Sequence, residues 1–153
     1  MSEVTVLIGP AGSLRSDGTA RATVPISQGF MLVPVDEAAW DLIGAALAED
    51  PDAAADRSKF LAFILRGAGL RADPASRIAY LESGKFDQVG LVAVGDTVTD
   101  SYTTEFDGSQ SQTPERDWAF NRALRRIGVK ATDTADEGEA VGLTRYLTGR
   151  STS

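Results

Sequence analysis

The most constraining feature of this sequence is that it contains neither cysteine nor histidine. Disulfides, thiolate or imidazole metal sites, cysteine nucleophiles and histidine acid–base catalysis are therefore excluded. Stability has to come from a hydrophobic core, and 153 residues of which 42% are hydrophobic suffice for one such core. We expect one domain over residues 1–149, a frayed tail at 150–153, no cofactor, no metal and no enzymatic activity.

Charge and hydropathy narrow the class of protein further. The net charge is −7, and no stretch approaches the roughly 18 consecutive apolar residues of a membrane span. The opening Met1-Ser2-Glu3 lacks the basic start of a signal peptide. We therefore expect a protein of the cytoplasm of a bacterial host, or of a virion. Arginine outnumbers lysine twelve to three, which fits a GC-rich bacterial or phage source.

Strand formers dominate the first third of the chain. Val4 to Ile8, Ala22 to Ile26 and Phe30 to Val35 have the composition of strands and are separated by turn residues. Because Pro25 and Pro34 cannot donate to a ladder, their strands should lie at an edge of the sheet or end at the prolines.

Capping residues predict two helices in the next third. Asp36 is a candidate N-cap for the first helix, which carries Trp40 on its apolar face. Asp56 is a candidate N-cap for the second, which should end at Gly67 or Gly69. An acidic turn joins the two.

Similar signals predict two short helices later in the chain. One should begin at Asp73-Pro74 and end at Gly84. The other should begin near Thr134 and Glu137, which have capping-box spacing, and end at Gly149.

Residues 91–106 have the pattern of a β-hairpin, with a turn at Gly95-Asp96. Strict alternation places Val98, Tyr102 and Phe106 on one face of its second strand. With the N-terminal strands, this hairpin predicts an α+β fold in which an antiparallel sheet is packed by about five helices.

Two kinds of ligand site are weakly suggested and rejected. Gly9 to Ser16 resembles a phosphate loop, but Leu14 stands in place of its second glycine and Arg15 in place of its lysine. Two acidic clusters offer oxygen ligands for a cation: Glu49, Asp50, Asp52 and Asp56, and Asp133, Asp136, Glu137 and Glu139. Both clusters lie at predicted helix starts, where carboxylates oppose the helix dipole, so we interpret them as caps.

The segment from Glu115 to Gly128 is the most informative, because it predicts a two-faced helix opened by Thr113-Pro114. Its apolar stripe consists of Phe120, Ala123, Leu124 and Ile127. Its basic side consists of Arg122, Arg125 and Arg126. Helical spacing places Trp118 beside the arginines. Residues 113–153 hold seven basic and six acidic side chains, whereas residues 1–112 hold eight and sixteen.

This basic face is the candidate binding site, because arginines bind phosphates and an indole stacks on an unpaired base. Its members are Arg116, Trp118, Arg122, Arg125, Arg126 and Lys130. Two other interpretations stay open. In the first, the arginines are solvated and Trp118 covers the hairpin near Tyr102 or Phe106. In the second, the face contacts a neighbouring subunit.

The same segment, ERDWAFNRALRRIG, resembles the helix of Rad52-like single-strand annealing proteins, in which an Arg-Ala-Leu-Arg stretch ends at glycine. The preceding hairpin and the later VGLTRYL run, similar to one in some phage relatives, extend the resemblance over the last third of the chain. It implies an oligomeric ring whose groove, lined by Arg122, Arg125 and Arg126, meets the backbone of a single strand. It also implies no nuclease or ATPase activity.

We therefore expect a non-catalytic, self-associating binding protein whose first candidate ligand is single-stranded nucleic acid. The alternative is a protein-only interaction module, such as a phage virion or assembly component or an inhibitor of another protein, with the acidic first two-thirds as its contact surface.

Overall fold

A computed structural model describes residues 4–16, 23–35, 37–50, 52, 55–84, 86–95, 97–107, 111–144 and 146. Its strands and α-helices are, in chain order, β1 (Val4–Pro10), β2 (Leu14–Ser16), β3 (Val24–Pro25), β4 (Phe30–Pro34), α1 (Glu37–Glu49), α2 (Arg57–Gly67), β5 (Leu70–Ala72), β6 (Arg77–Ser83), β7 (Asp87–Val94), β8 (Thr97–Glu105), α3 (Ala119–Arg126) and α4 (Glu137–Val141). The α+β class is confirmed, with four α-helices in the described ranges where about five were expected.

One antiparallel sheet of six strands, in the order β3-β4-β1-β6-β7-β8, organises the molecule. A small second sheet pairs β2 with β5. The prolines act as expected, since β3 is an edge strand that ends at Pro25 and β4 ends at Pro34.

Apolar side chains cover both faces of the six-stranded sheet. On one face, Leu7, Tyr80 and Leu91 pack with α1 and α2. On the other, Val92 and Leu81 pack with α3 and α4. Burial on both faces explains why the central strands read as continuous apolar runs rather than as alternating ones.

The predicted features at the starts of α1 and α2 are found where they fall on described residues. Asp56 accepts hydrogen bonds from the backbone N–H groups of Ser58 and Lys59, as its position predicts for the N-cap of α2. Trp40 packs on the core from α1, also as expected. The proposed cap Asp36 lies outside the described residues.

Glycines set how closely the helices approach. A Cβ atom on Gly90 of β7 would lie 2.9 Å from both the Ala119 carbonyl oxygen and the Ala123 Cβ atom of α3. A Cβ atom on Gly67 of α2 would clash with the Ile43 side chain of α1. Helix α3 therefore lies so close to β7, and α1 so close to α2, that a larger residue in place of either glycine would force the two elements apart.

The predicted helix from Asp73-Pro74 to Gly84 is wrong. Asp73 accepts a hydrogen bond from the Ser76 hydroxyl at 2.7 Å, which closes a turn, and the chain then continues as β6. Strand β6 lies between β1 and β7, and its central residues 78–81 are all buried. Pairing with two distant strands overrides the local helix-start signal.

The 91–106 hairpin is confirmed, but its alternation is not. A β-bulge interrupts the β7–β8 register, which shifts between Val92 and Ala93. As a result, Val98 packs with the α1 and α2 cluster, whereas Tyr102 packs with the α3 and α4 cluster. The expectation that Val98 shares a face with Tyr102 and Phe106 is therefore wrong.

The last two helices are shorter than expected. Residues Glu115–Asp117 form a 3₁₀ turn, and the α-helix begins only at Ala119. Asp136, not Thr134, is the N-cap of α4, and it accepts a hydrogen bond from Glu139 N–H at 3.0 Å. Helix α4 ends at Val141 and is capped by Gly142, whose φ of 95° is left-handed. Residues 143, 144 and 146 are helical again, and Tyr146 N–H donates to the Gly142 carbonyl at 3.1 Å. The predicted end at Gly149 lies outside the described residues.

Candidate functional site

Helix α3 is two-faced, as its sequence predicts. Its apolar stripe is buried against the sheet and consists of Phe120, Ala123, Leu124 and Ile127. Arg122, Arg125 and Arg126 are exposed on the other side.

Three contacts tie α3 along the length of β8. At its start, Ala119 N–H donates to the buried Thr104 hydroxyl at 2.8 Å. In its middle, the Arg122 guanidinium lies 4.5 Å above the centre of the Tyr102 ring. At its end, Arg126 Nε donates to Asp100 Oδ2 at 3.1 Å. The helix therefore runs antiparallel to the outermost strand of the sheet.

Arg125 is held by its own chain. Its Nε atom lies 2.6 Å from Glu137 Oε1, and its Nη2 atom donates to the Arg116 carbonyl oxygen at 3.0 Å. Glu137 is only 3% exposed, and its other oxygen, Oε2, has no hydrogen-bond partner in the described part of the chain. The hydrogen bond to Glu137, and then the charges of Glu137 and Asp117, raise the pKa of Arg125.

The Arg126 partner is more exposed. Asp100 accepts hydrogen bonds from the Thr99 hydroxyl at 2.9 Å and from Arg126. The Thr99 bond first, and Arg126 second, lower the pKa of Asp100 below its usual value.

Trp118 does not stack beside the arginines. It is the N-cap of α3, and its carbonyl accepts a hydrogen bond from Arg122 N–H at 3.0 Å. Its own backbone is extended, φ −62° and ψ 155°, so its side chain does not follow the helical spacing. Its Nε1–H donates to the Thr113 carbonyl at 2.9 Å, and its ring meets the Phe106 ring edge-on, with centroids 4.9 Å apart. This is the covering role over the hairpin that the sequence left open.

The other two predicted site residues lie at opposite ends of this region. The Arg116 side chain is 79% exposed and lies 3.9 Å from Asp117. Lys130 follows α3, and its backbone N–H and carbonyl exchange hydrogen bonds with the Gln28 side chain at 3.0 and 2.9 Å. The structure therefore spreads the six residues along and beyond α3 rather than gathering them in one pocket.

A feature that sequence reasoning missed is the outer edge of β8, the last strand of the sheet. Phe106 N–H donates to the Phe86 carbonyl at 2.7 Å, and in an antiparallel ladder only every second residue bonds the neighbouring strand. The N–H and C=O groups of Ser101, Thr103 and Glu105 therefore point away from β7. None of them has a hydrogen-bond partner within the described ranges.

Two open grooves flank this edge. One, of 750 Å³, is lined by residues 103–107 and 111–113. The other, of 410 Å³, is lined by residues 55–58 and 98–101. Beyond the bulge the edge is closed, because the Val98 N–H donates to the Ser58 hydroxyl of α2 at 3.0 Å. We call the open stretch, residues 101–105, the β8 edge. The run of Ser, Tyr and Thr at 101–104 was its only sequence signal.

Each of the two acidic clusters supplies a helix cap. Asp56 and Asp136 serve as helix caps, in line with our interpretation of the acidic clusters. In the described ranges, no three aspartate or glutamate side chains come close enough together to hold a metal ion. No described helix is long and apolar enough to cross a membrane.

No family model, curated protein or solved structure matches this chain.

Proposed function

We propose that this protein is a non-catalytic binding module that recognises another protein chain by pairing an extended segment of it with the β8 edge. The observation that carries the proposal is the row of outward N–H and C=O groups at Ser101, Thr103 and Glu105. Such groups form backbone hydrogen bonds with any added strand, and flanking grooves give room for its side chains. Both grooves adjoin the β8 edge.

The arginine face supports this choice over nucleic acid as the first ligand. Arg125 bonds Glu137, Arg126 bonds Asp100 and Arg122 covers Tyr102, so their charges already stabilise contacts within the chain. Binding a phosphate there would require these contacts to be broken or shared. Trp118 is bonded to Thr113 and packed on Phe106, so its indole already forms contacts within the chain.

The test uses a fluorescein-labelled peptide with the sequence of residues 97–106 and a second peptide N-methylated at alternate residues. We expect the first to bind with a dissociation constant below about 1 mM and the second not to bind, because N-methylation removes the donors of a ladder. Fluorescence anisotropy reads the binding. Absence of binding by the first peptide overturns the proposal.

Two variants locate the site. Thr103→Pro removes the outward N–H group of residue 103 and no N–H group that bonds β7, so we expect the bonds of β8 to β7 to persist while peptide binding is lost. Thr103→Val keeps that N–H and should bind the peptide like the natural chain. Circular dichroism establishes that both variants are folded. Equal binding by Thr103→Pro would place the peptide elsewhere.

Single-stranded nucleic acid remains a second candidate, because Arg122 is exposed above an aromatic ring and Arg116 is largely exposed. The likeness to single-strand annealing proteins also belongs to this candidate. It predicts that an oligothymidine of about 20 nucleotides changes the tryptophan fluorescence at low salt and that added salt reverses the change.

A variant that lacks exposed cations but keeps the internal ion pairs is the control for that titration. Replacing Arg116, Arg122 and Lys130 together by alanine removes three exposed cations without touching the bond of Arg125 to buried Glu137. Loss of a salt-sensitive signal in this variant would favour nucleic acid. No signal for the natural chain at about 20 mM salt, where screening is weak, would eliminate this candidate.

A further inference from the structure

We draw no further inference here: the strongest candidate, the cleft between the starts of α3 and α4 that Trp118, Asn121 and Asp136 line, carries none because the side-chain oxygen and nitrogen atoms of Asn121 and Asp136 already form hydrogen bonds within the chain, and nothing in the structure shows what fills it.

Discussion

The two faces of the central sheet are covered in different ways. Helices α1 and α2 pack on one face through apolar side chains such as Ile43, Leu61 and Ile64. Ser58 of α2 also accepts a hydrogen bond from Val98 N–H of β8, but on the other face several polar groups, in addition to apolar side chains, hold α3 and α4. Thr104 binds the start of α3, and Arg125 joins α3 to Glu137 of α4.

This difference shows why a basic helix face need not be a binding surface. An amphipathic pattern reveals which side of a helix is polar, but it does not reveal whether the polar side meets solvent, a ligand or the rest of the chain. On α3 the outward arginines reach over the helix edge to Asp100 and to Glu137. They contribute to the fold before they are available to any partner.

The largest expected effect is on the free energy of unfolding, and it differs between the two ion pairs of α3. Arg125→Gln leaves the carboxylate of Glu137 buried without its cation, and we expect a loss of about 3 kcal/mol in the free energy of unfolding. Arg126→Gln breaks a pair in which both side chains are partly exposed, 46% and 26%, and should cost less than about 1 kcal/mol. Urea unfolding followed by circular dichroism measures both.

Equal losses in these two variants would contradict the distinction between a buried carboxylate and a partly exposed one, since Glu137 is 4% and Asp100 26% exposed while both arginines are about half exposed. The double variant Arg125→Gln with Glu137→Leu adds a control, because it removes both charges. We expect it to recover part of the lost stability, since no unpaired charge stays buried.

A smaller effect tests the close approach of α3 to the sheet. Gly90→Ala places a Cβ atom 2.9 Å from backbone and Cβ atoms of α3, so the helix must shift, at a cost of about 2 kcal/mol. Gly44→Ala is the matched control in α1, where a Cβ atom meets nothing within 4 Å. That change should stabilise the protein by up to about 1 kcal/mol, because alanine is the better helix former. Thermal unfolding should shift in opposite directions for the two.

Local signals predict much of this fold. The α+β class, the N-cap Asp56, the ends of two strands at Pro25 and Pro34 and the 91–106 hairpin all follow from short-range chemistry. Each of these features depends on residues that lie close together in the sequence. Such features are readable because their physical cause lies in the same segment.

The errors arise where distant segments decide. Strand β6 begins after a helix-start sequence at Asp73-Pro74, but pairing on both sides with β1 and β7 makes it a strand. Pro114 begins only a 3₁₀ turn, and Trp118 is extended as the N-cap of α3, with its ring packed on Phe106. The spacing of apolar residues within either segment does not reveal these contacts with distant segments.

The candidate site shows the same limit. The sequence identifies which arginines share a side of α3, but their partners Asp100 and Glu137 come from a strand and from another helix. The β8 edge is harder to predict from the sequence, because the order of all the strands decides which strand lies at the edge of the sheet. A bulge at Thr99 then decides which stretch of it stays open.

The smallest expected effect concerns the Asp100 carboxyl, whose folded pKa lies below its usual value near 3.8. A lowered pKa means that the charged form is favoured by folding. Its stabilising contribution is therefore full above the usual value and is lost as the pH falls through the folded one. Because the side chain is close to solvent, screening limits this contribution to less than about 0.5 kcal/mol.

Asp100→Asn checks the sign of that contribution. The variant should be slightly less stable than the natural chain at about pH 6 and equally stable at about pH 2, where the natural carboxyl is protonated as well. About 1 M salt should shrink the difference at the higher pH, because Arg126 and Asp100 are both partly exposed. A difference in the free energy of unfolding that does not change with pH would contradict this prediction. It would mean that the Thr99 hydroxyl and Arg126 position Asp100 without any contribution from its charge. Charges on this face would then stabilise the fold only where they are buried.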